Sequence, residues 1–336
     1  MSKAAKTIFL AAVKLLLPLL IIAWLLMRIE PEQWQALQQR PKHLRLLGAA
    51  LVAALMAMVL SFWRWWMLVR CQGISLGLVE AFRLSAIGLL LSFVSAGSVG
   101  GDLFKMIFLA RRCPGKGVEA VASVVLDRGI GLLALLLLVS IVVASAGLRT
   151  HPDLAPVGQV VILLSGSGLL ILIALLVGGR RIDQVVLKLS RLPRLGPLLS
   201  RLVGTLRAFG DHKSAIAAAL LISLAVHLLL SLAVFGIARG LYGPLAPGLG
   251  DHLLIFPIAN VATALPIAPA GLGVLELAME WLYRVVPREP TVASGTVVAL
   301  AFELVKVIMA SVGMVFYWTA GRDIRGSLRA MRDHCG

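Results

Sequence analysis

Long apolar runs, nearly free of charge, recur along the chain and alternate with short basic stretches. A helix rising about 1.5 Å per residue needs about 20 apolar residues to cross a hydrocarbon layer about 30 Å thick. Segments 7–27, 44–69, 117–146, 157–178, 214–240 and 292–320 meet that requirement and are predicted to be spanning helices. The first follows Lys3 and Lys6, but Met27-Arg28-Ile29-Glu30 after it offers no small-x-small cleavage site, so a retained helix is expected rather than a signal peptide.

Two further apolar stretches break in the middle. Residues 76–111 are interrupted at Ser95-Ala96-Gly97-Ser98-Val99-Gly100-Gly101 and resume over Asp102 to Ala110. Residues 249–287 are interrupted at Leu265-Pro266-Ile267-Ala268-Pro269-Ala270-Gly271-Leu272-Gly273 and resume to Tyr283. Each reads as two half-helices joined at membrane depth, a re-entrant hairpin. Lipid cannot satisfy the backbone groups freed at such a break, so protein or a polar cavity must surround it.

Lysine and arginine set the orientation. The linker 179–213 carries eight of them and the tail holds Arg322, Arg325, Arg329 and Arg332, whereas 147–156 holds one and 241–250 none. The rich stretches are expected on the cytoplasmic side, with both termini cytoplasmic. The first hairpin then opens to the cytoplasm and the second to the exterior, an inverted pair. Loop 28–45, placed outside, runs against this with Arg28, Arg40, Lys42 and Arg45 facing Glu30 and Glu32. The expected architecture is an all-α integral membrane protein of about six spans plus two oppositely oriented re-entrant hairpins. It forms one domain: a first half over 1–178, a basic linker over 179–213, a second half over 214–320 and a tail over 321–336. The linker has an amphipathic pattern that suits either a headgroup-bound surface segment or a topogenic connection.

Composition agrees: 60% of residues are apolar and 14% charged, with a mean hydropathy of +0.95. The net charge of +16 lies between the apolar segments; the positive-inside bias explains it without nucleic acid as partner. Cys71, Cys113 and Cys335 form no C-x-x-C pair and carry no metal or disulfide signal. Gly271-Leu272-Gly273 is a lone G-x-G, and no P-loop, H-E-x-x-H or G-x-S-x-G occurs. No cofactor or metal is expected.

Ionisable groups at membrane depth are the candidates for chemistry, because each costs about 2.5–3.5 kcal/mol to insert and tends to face a bundle interior. Asp127 and Arg128 lie near the middle of the third span, and Glu303 and Lys306 at similar depth in the last, three residues apart on one face. Asp102 and Lys105 repeat that spacing after the first break; Glu276 and Glu280 follow the second. Asp102 to Asp127 is 25 residues and Glu276 to Glu303 is 27, so the halves share a plan of hairpin, acid, then charged span, as inverted-repeat transporters do. Two readings stay open for the charges: ligand groups or structural ion pairs. The glycines Gly100, Gly101, Gly271 and Gly273, with Pro269, either present half-helix N-termini to an anionic headgroup or kink helices for packing. Arg64, between Trp63, Trp65 and Trp66, reads as part of an interfacial belt. His227 is expected to make an internal hydrogen bond, and Asn260 to help cap the second break.

In Gly100-Gly101-Asp102 with Lys105, Asp127-Arg128-Gly129, and Pro269-Ala270-Gly271-Leu272-Gly273-Val274-Leu275-Glu276, the chain resembles the flippase-like membrane domain of lysylphosphatidylglycerol synthases. That family includes stand-alone members, among them a hopanoid-associated subgroup. The resemblance implies a helical membrane fold with re-entrant hairpins in both halves, and lipid translocation as the activity of the best-known member. Lys105 stands where relatives often carry arginine, and Ser95-Ala96 lacks their proline. The soluble aminoacyl-transferase domain of the full synthases is absent here, so synthesis of aminoacylated lipid is not expected.

The leading expectation is therefore a flippase in the bacterial inner membrane, moving a phospholipid, hopanoid or glycolipid through a polar cavity lined by Lys105, Arg128 and Lys306. Asp102, Asp127, Glu276 and Glu303 would balance those bases. Two alternatives stand beside it: an intramembrane glycosyl or headgroup transferase with Asp102 or Glu276 as general base, and a non-catalytic partner of a lipid-synthesis enzyme. The expected partners are membrane lipids, with a homo-oligomer or a lipid-synthesis enzyme as further options.

Overall fold

In a computed structural model of the chain, the described residues are 29–94, 100–145, 155–177, 208–263 and 271–318, with a few isolated positions besides. The first predicted span, both glycine-rich break centres, nearly all of the basic linker and the tail lie outside them. Among the described residues there is helix and no strand.

The described residues form ten α-helices, in order α1 (Pro31–Gln39), α2 (Leu44–Cys71), α3 (Leu78–Val94), α4 (Gly100–Arg112), α5 (Gly117–Ser145), α6 (Ala155–Val177), α7 (Lys213–Tyr242), α8 (Leu249–Thr263), α9 (Val274–Val285) and α10 (Gly295–Trp318). Among the described residues, five helical stretches are long and apolar enough to cross a membrane: α2, α5, α6, α10 and the stretch Phe209–Leu245 around α7. The helices α2, α5, α6, α7 and α10 match the last five predicted spans to within three residues. The chain is a multi-pass membrane protein.

One expectation fails on the segment 28–45, read as a loop: it contains α1. Pro31 opens that helix at a position where no N–H is needed, and the Gln33 side chain reaches back to accept from the Glu30 N–H at 3.2 Å.

The spanning helices are apolar all round, so neighbours rather than one-sided patterns decide which face is inside. α2 and α7 pack most extensively, with small residues at their contact: a Cβ on Gly236 would lie 3.1 Å from the Ala50 methyl. α2 ends at a turn through Gly73, whose φ of 65° favours glycine. α6 sits at the periphery against α5, joined to it by the Ser140–Ser165 hydroxyl pair at 2.8 Å. Its Leu163, Leu170 and Ile171 face outward, as residues solvated by acyl chains do.

The short helices pair off. α3 and α4 run antiparallel: Arg112 pairs with Glu80 at the far end, while Gly101 lies against Gly88 and Ser92 near the connection. A Cβ on Gly101 would come within 2.0 Å of the Gly88 carbonyl oxygen, so only glycine permits this backbone contact. α8 and α9 pair in the same way, with His252 Nε2 2.7 Å from the Tyr283 hydroxyl at one end and Gly271 against Thr263 at the other. Pro257 sits within α8, where neighbouring helices can absorb the missing hydrogen bond. α10 packs against both pairs; a Cβ on Gly313 would meet the Ala86 carbonyl oxygen of α3 at 2.1 Å.

Candidate functional site

Arg64 on α2 is buried, not interfacial. Its Nε donates to Asp127 Oδ1 on α5 at 2.8 Å, with the two side chains 7% and 9% exposed, and its Nη1 donates to Ser223 Oγ on α7 at 2.6 Å. The Ser223 hydroxyl in turn donates to the Ala219 carbonyl at 2.6 Å. Three helices that hydropathy alone would pack as bare cylinders are thus held in one register. Gly131, one turn beyond Asp127, makes room: a Cβ there would lie 3.3 Å from Arg64 Nη1. The Gly131 carbonyl accepts from His227 Nε2 at 3.0 Å, the internal hydrogen bond expected of that histidine. Of the three tryptophans, Trp63 faces outward, while Trp65 is buried and Trp66 donates to the Leu76 carbonyl at 2.9 Å.

Arg128 follows Asp127 but points elsewhere, since successive helical residues are rotated by about 100°. It forms a two-point bond to Asp102 on α4: Nε to Oδ2 at 2.7 Å and Nη2 to Oδ1 at 2.8 Å. Asp102 sits in the first turn of α4, where the helix dipole favours an acid. The repeated acid-x-x-lysine spacing therefore does not mark a repeated pair. Lys105 instead places Nζ 4.5 Å from the Trp65 ring centroid, a cation–π contact, and its stem fits beside Gly88, where a Cβ would lie 3.2 Å from Lys105 Cε.

Arg64, Lys105, Arg128, Asp102 and Asp127 interact electrostatically as one group. Three cations face two carboxylates, so the cluster carries one positive charge in excess. All but Arg128 are buried; the Arg128 side chain is 62% exposed.

The second half holds a different arrangement. Lys306 Nζ lies 2.5 Å from Glu303 Oε1, the pair expected from their spacing. Glu276, fully buried, accepts the Gly273 N–H on Oε2 at 2.7 Å; this carboxylate caps α9, and Gly273 takes a φ of 82° to begin it. Glu276 and Glu303 interact electrostatically with each other and with Lys306. Two carboxylates share one cation, leaving one negative charge in excess. Glu280, one turn after Glu276, is used elsewhere: its Oε2 accepts the Thr296 N–H at 2.9 Å, and with it the Ser294 and Thr296 hydroxyls, at the start of α10.

Gly100 and Gly101 open α4 and Gly271 and Gly273 precede α9, while Pro269 lies outside the described residues. Asn260 Oδ1 accepts from the Thr263 hydroxyl at 3.1 Å in the last turn of α8. Among the described residues no group of three or more metal-ligating side chains occurs. Sequence reading missed Arg64, Ser223 and Trp65 as members of the first cluster.

The family model for the lysylphosphatidylglycerol synthase TM region matches residues 10–313. The chain belongs to that family. Comparison with curated proteins and with solved structures gives no significant match. The family is a lipid-related membrane domain, and in this lysylphosphatidylglycerol synthase TM-type chain the Gly-Gly-Asp and Asp-Arg-Gly motifs meet in space through the Asp102–Arg128 bond.

Proposed function

We propose that this protein moves a lipid with an anionic headgroup between leaflets, the headgroup meeting the cluster of Arg64, Lys105 and Arg128 while its tails stay in lipid. The observation that carries the reading is the single positive charge in excess among five grouped ionisable residues, reachable at Arg128. Uncompensated charge in the bilayer is expensive, and a phosphate or carboxylate headgroup would balance it. On this reading the pairs α3–α4 and α8–α9 are re-entrant hairpins entering from opposite sides, with both termini in the cytoplasm of a bacterial inner membrane, as the distribution of lysine and arginine supports. Phospholipids, anionic glycolipids and acidic hopanoids all present suitable chemistry.

The alternative of a headgroup transferase with Asp102 as its general base has less support. A general base needs a free oxygen near the proton it removes, and both oxygens of Asp102 are held by Arg128.

The test is reconstitution of the purified full chain in vesicles with phosphatidylglycerol bearing a fluorescent headgroup-proximal label, quenched from outside by dithionite. Acceleration of the inner-leaflet decay over protein-free vesicles is expected. Decay unchanged for anionic, zwitterionic and glycosylated lipids alike would remove the translocation reading.

A further inference from the structure

The second cluster has no role in holding an anion, because its own charge is negative. Glu276 is fully buried. Its Oε2 is occupied by the Gly273 N–H, while its Oε1, also buried, has no hydrogen-bond partner among the described residues. Glu303 is buried as well, and its partner is Lys306. A buried carboxylate oxygen without a partner is costly, and an uncompensated buried charge more so. The other ionisable groups on α9 and on the helices packed against it do not relieve this. Glu280 is held by Ser294, Thr296 and Arg284, Asp251 accepts the Gly248 N–H, and His252 is bonded to the Gly248 carbonyl and the Tyr283 hydroxyl.

We infer that Glu276 and Glu303 together hold one exchangeable proton, taken from water and returned to it. The trio of Glu276, Glu303 and Lys306 is neutral with the proton bound and carries one negative charge without it. Its occupant is a proton and not a metal cation. The ammonium already sits on one carboxylate, and the oxygens that remain do not make the six-oxygen shell that a hard cation needs. Where the first cluster handles a headgroup, this site gives lipid movement a gradient to respond to; that coupling, unlike the proton site itself, rests on the translocation reading.

Infrared difference spectra of the full chain in lipid nanodiscs, neutral against alkaline buffer in H2O and D2O, test the site directly. The wild type is expected to lose a protonated-carboxyl C=O band on alkalinisation. Glu276→Gln leaves Glu303 with Lys306, and Glu303→Gln leaves Glu276 with Lys306, so each single substitution is expected to abolish the whole band. Lys306→Gln leaves two carboxylates with no cation, and its band is expected to persist into more alkaline buffer. Absence of the band in wild type, or its survival in both glutamine variants, would overturn the proposal.

A second measurement separates this from the headgroup reading. With labelled phosphatidylglycerol in vesicles, an imposed pH gradient is expected to change the wild-type rate several-fold and the Glu276→Gln rate not at all. Lipid movement indifferent to the gradient, together with no band, sinks the proton site and leaves translocation standing. A band with the expected variant pattern but no lipid movement does the reverse.

Discussion

Arg128 holds Asp102 through two hydrogen bonds, 2.7 Å and 2.8 Å long, across 26 residues of sequence. This bond joins the short helix α4 to the long helix α5. Because the arginine side chain is 62% exposed, it is the member of the cluster that a headgroup can draw away from its carboxylate. Arg128→Lys keeps the charge and loses the planar fork. Labelled-lipid movement is expected to fall on the order of tenfold, the equivalent of about 1.4 kcal/mol. The thermal midpoint should fall less than on removing a partner of the enclosed Arg64–Asp127 pair, because lysine keeps a positive charge beside the buried Asp102.

The Arg64–Asp127 pair behaves in the opposite way. Both side chains are less than a tenth exposed, so removing one partner strands the other. Asp127→Asn and Arg64→Met are each expected to cost about 3–5 kcal/mol, read as a lowered unfolding midpoint in detergent. The double variant Arg64→Met/Asp127→Leu should lose much less than the two single losses added together.

Glycine contacts give a graded series. Gly101→Ala drives a methyl into the Gly88 carbonyl and Gly313→Ala drives one into the Ala86 carbonyl, so each is expected to destabilise by about 1–3 kcal/mol or more. Gly129→Ala, with nothing within 4 Å of the added carbon, should be neutral or stabilising by up to about 1 kcal/mol. Thermal shift assays on the three variants decide the ranking; equal losses would contradict it.

Tyr283→Phe removes the hydroxyl that lies 2.7 Å from His252 Nε2 and leaves a fully buried ring nitrogen unpaired. A loss of about 1–3 kcal/mol is expected. Adding His252→Phe should then cost less than it does in the wild-type background.

The spanning helices were legible because length and hydropathy are local properties: α2, α5, α6, α7 and α10 begin and end within three residues of the expected positions. The centres of the two expected breaks lie outside the described residues. Which charge meets which was not legible. Asp127 and Arg128 are adjacent in sequence and serve different partners, because a helix sends neighbours to different faces. Arg64 stands among three tryptophans near the end of α2 and has the pattern of an interfacial belt; only the packing of α5 and α7 over it encloses it. Nothing local to Ser223 marks it as the third member. α1 could have been found, since Glu30, Pro31 and Gln33 carry a helix-start signal that the surrounding basic residues obscured.

The Gly101–Gly88 contact limits how the protein can move. Two helices touching backbone to backbone, with no side chain between them, have no soft layer along which to shear. α3 and α4 are therefore expected to move as one unit, so that Asp102 changes place only with the pair while the exposed Arg128 side chain can turn on its own. Gly101, at the edge of a gap in the hydropathy profile, acts in three dimensions as a weld between α3 and α4.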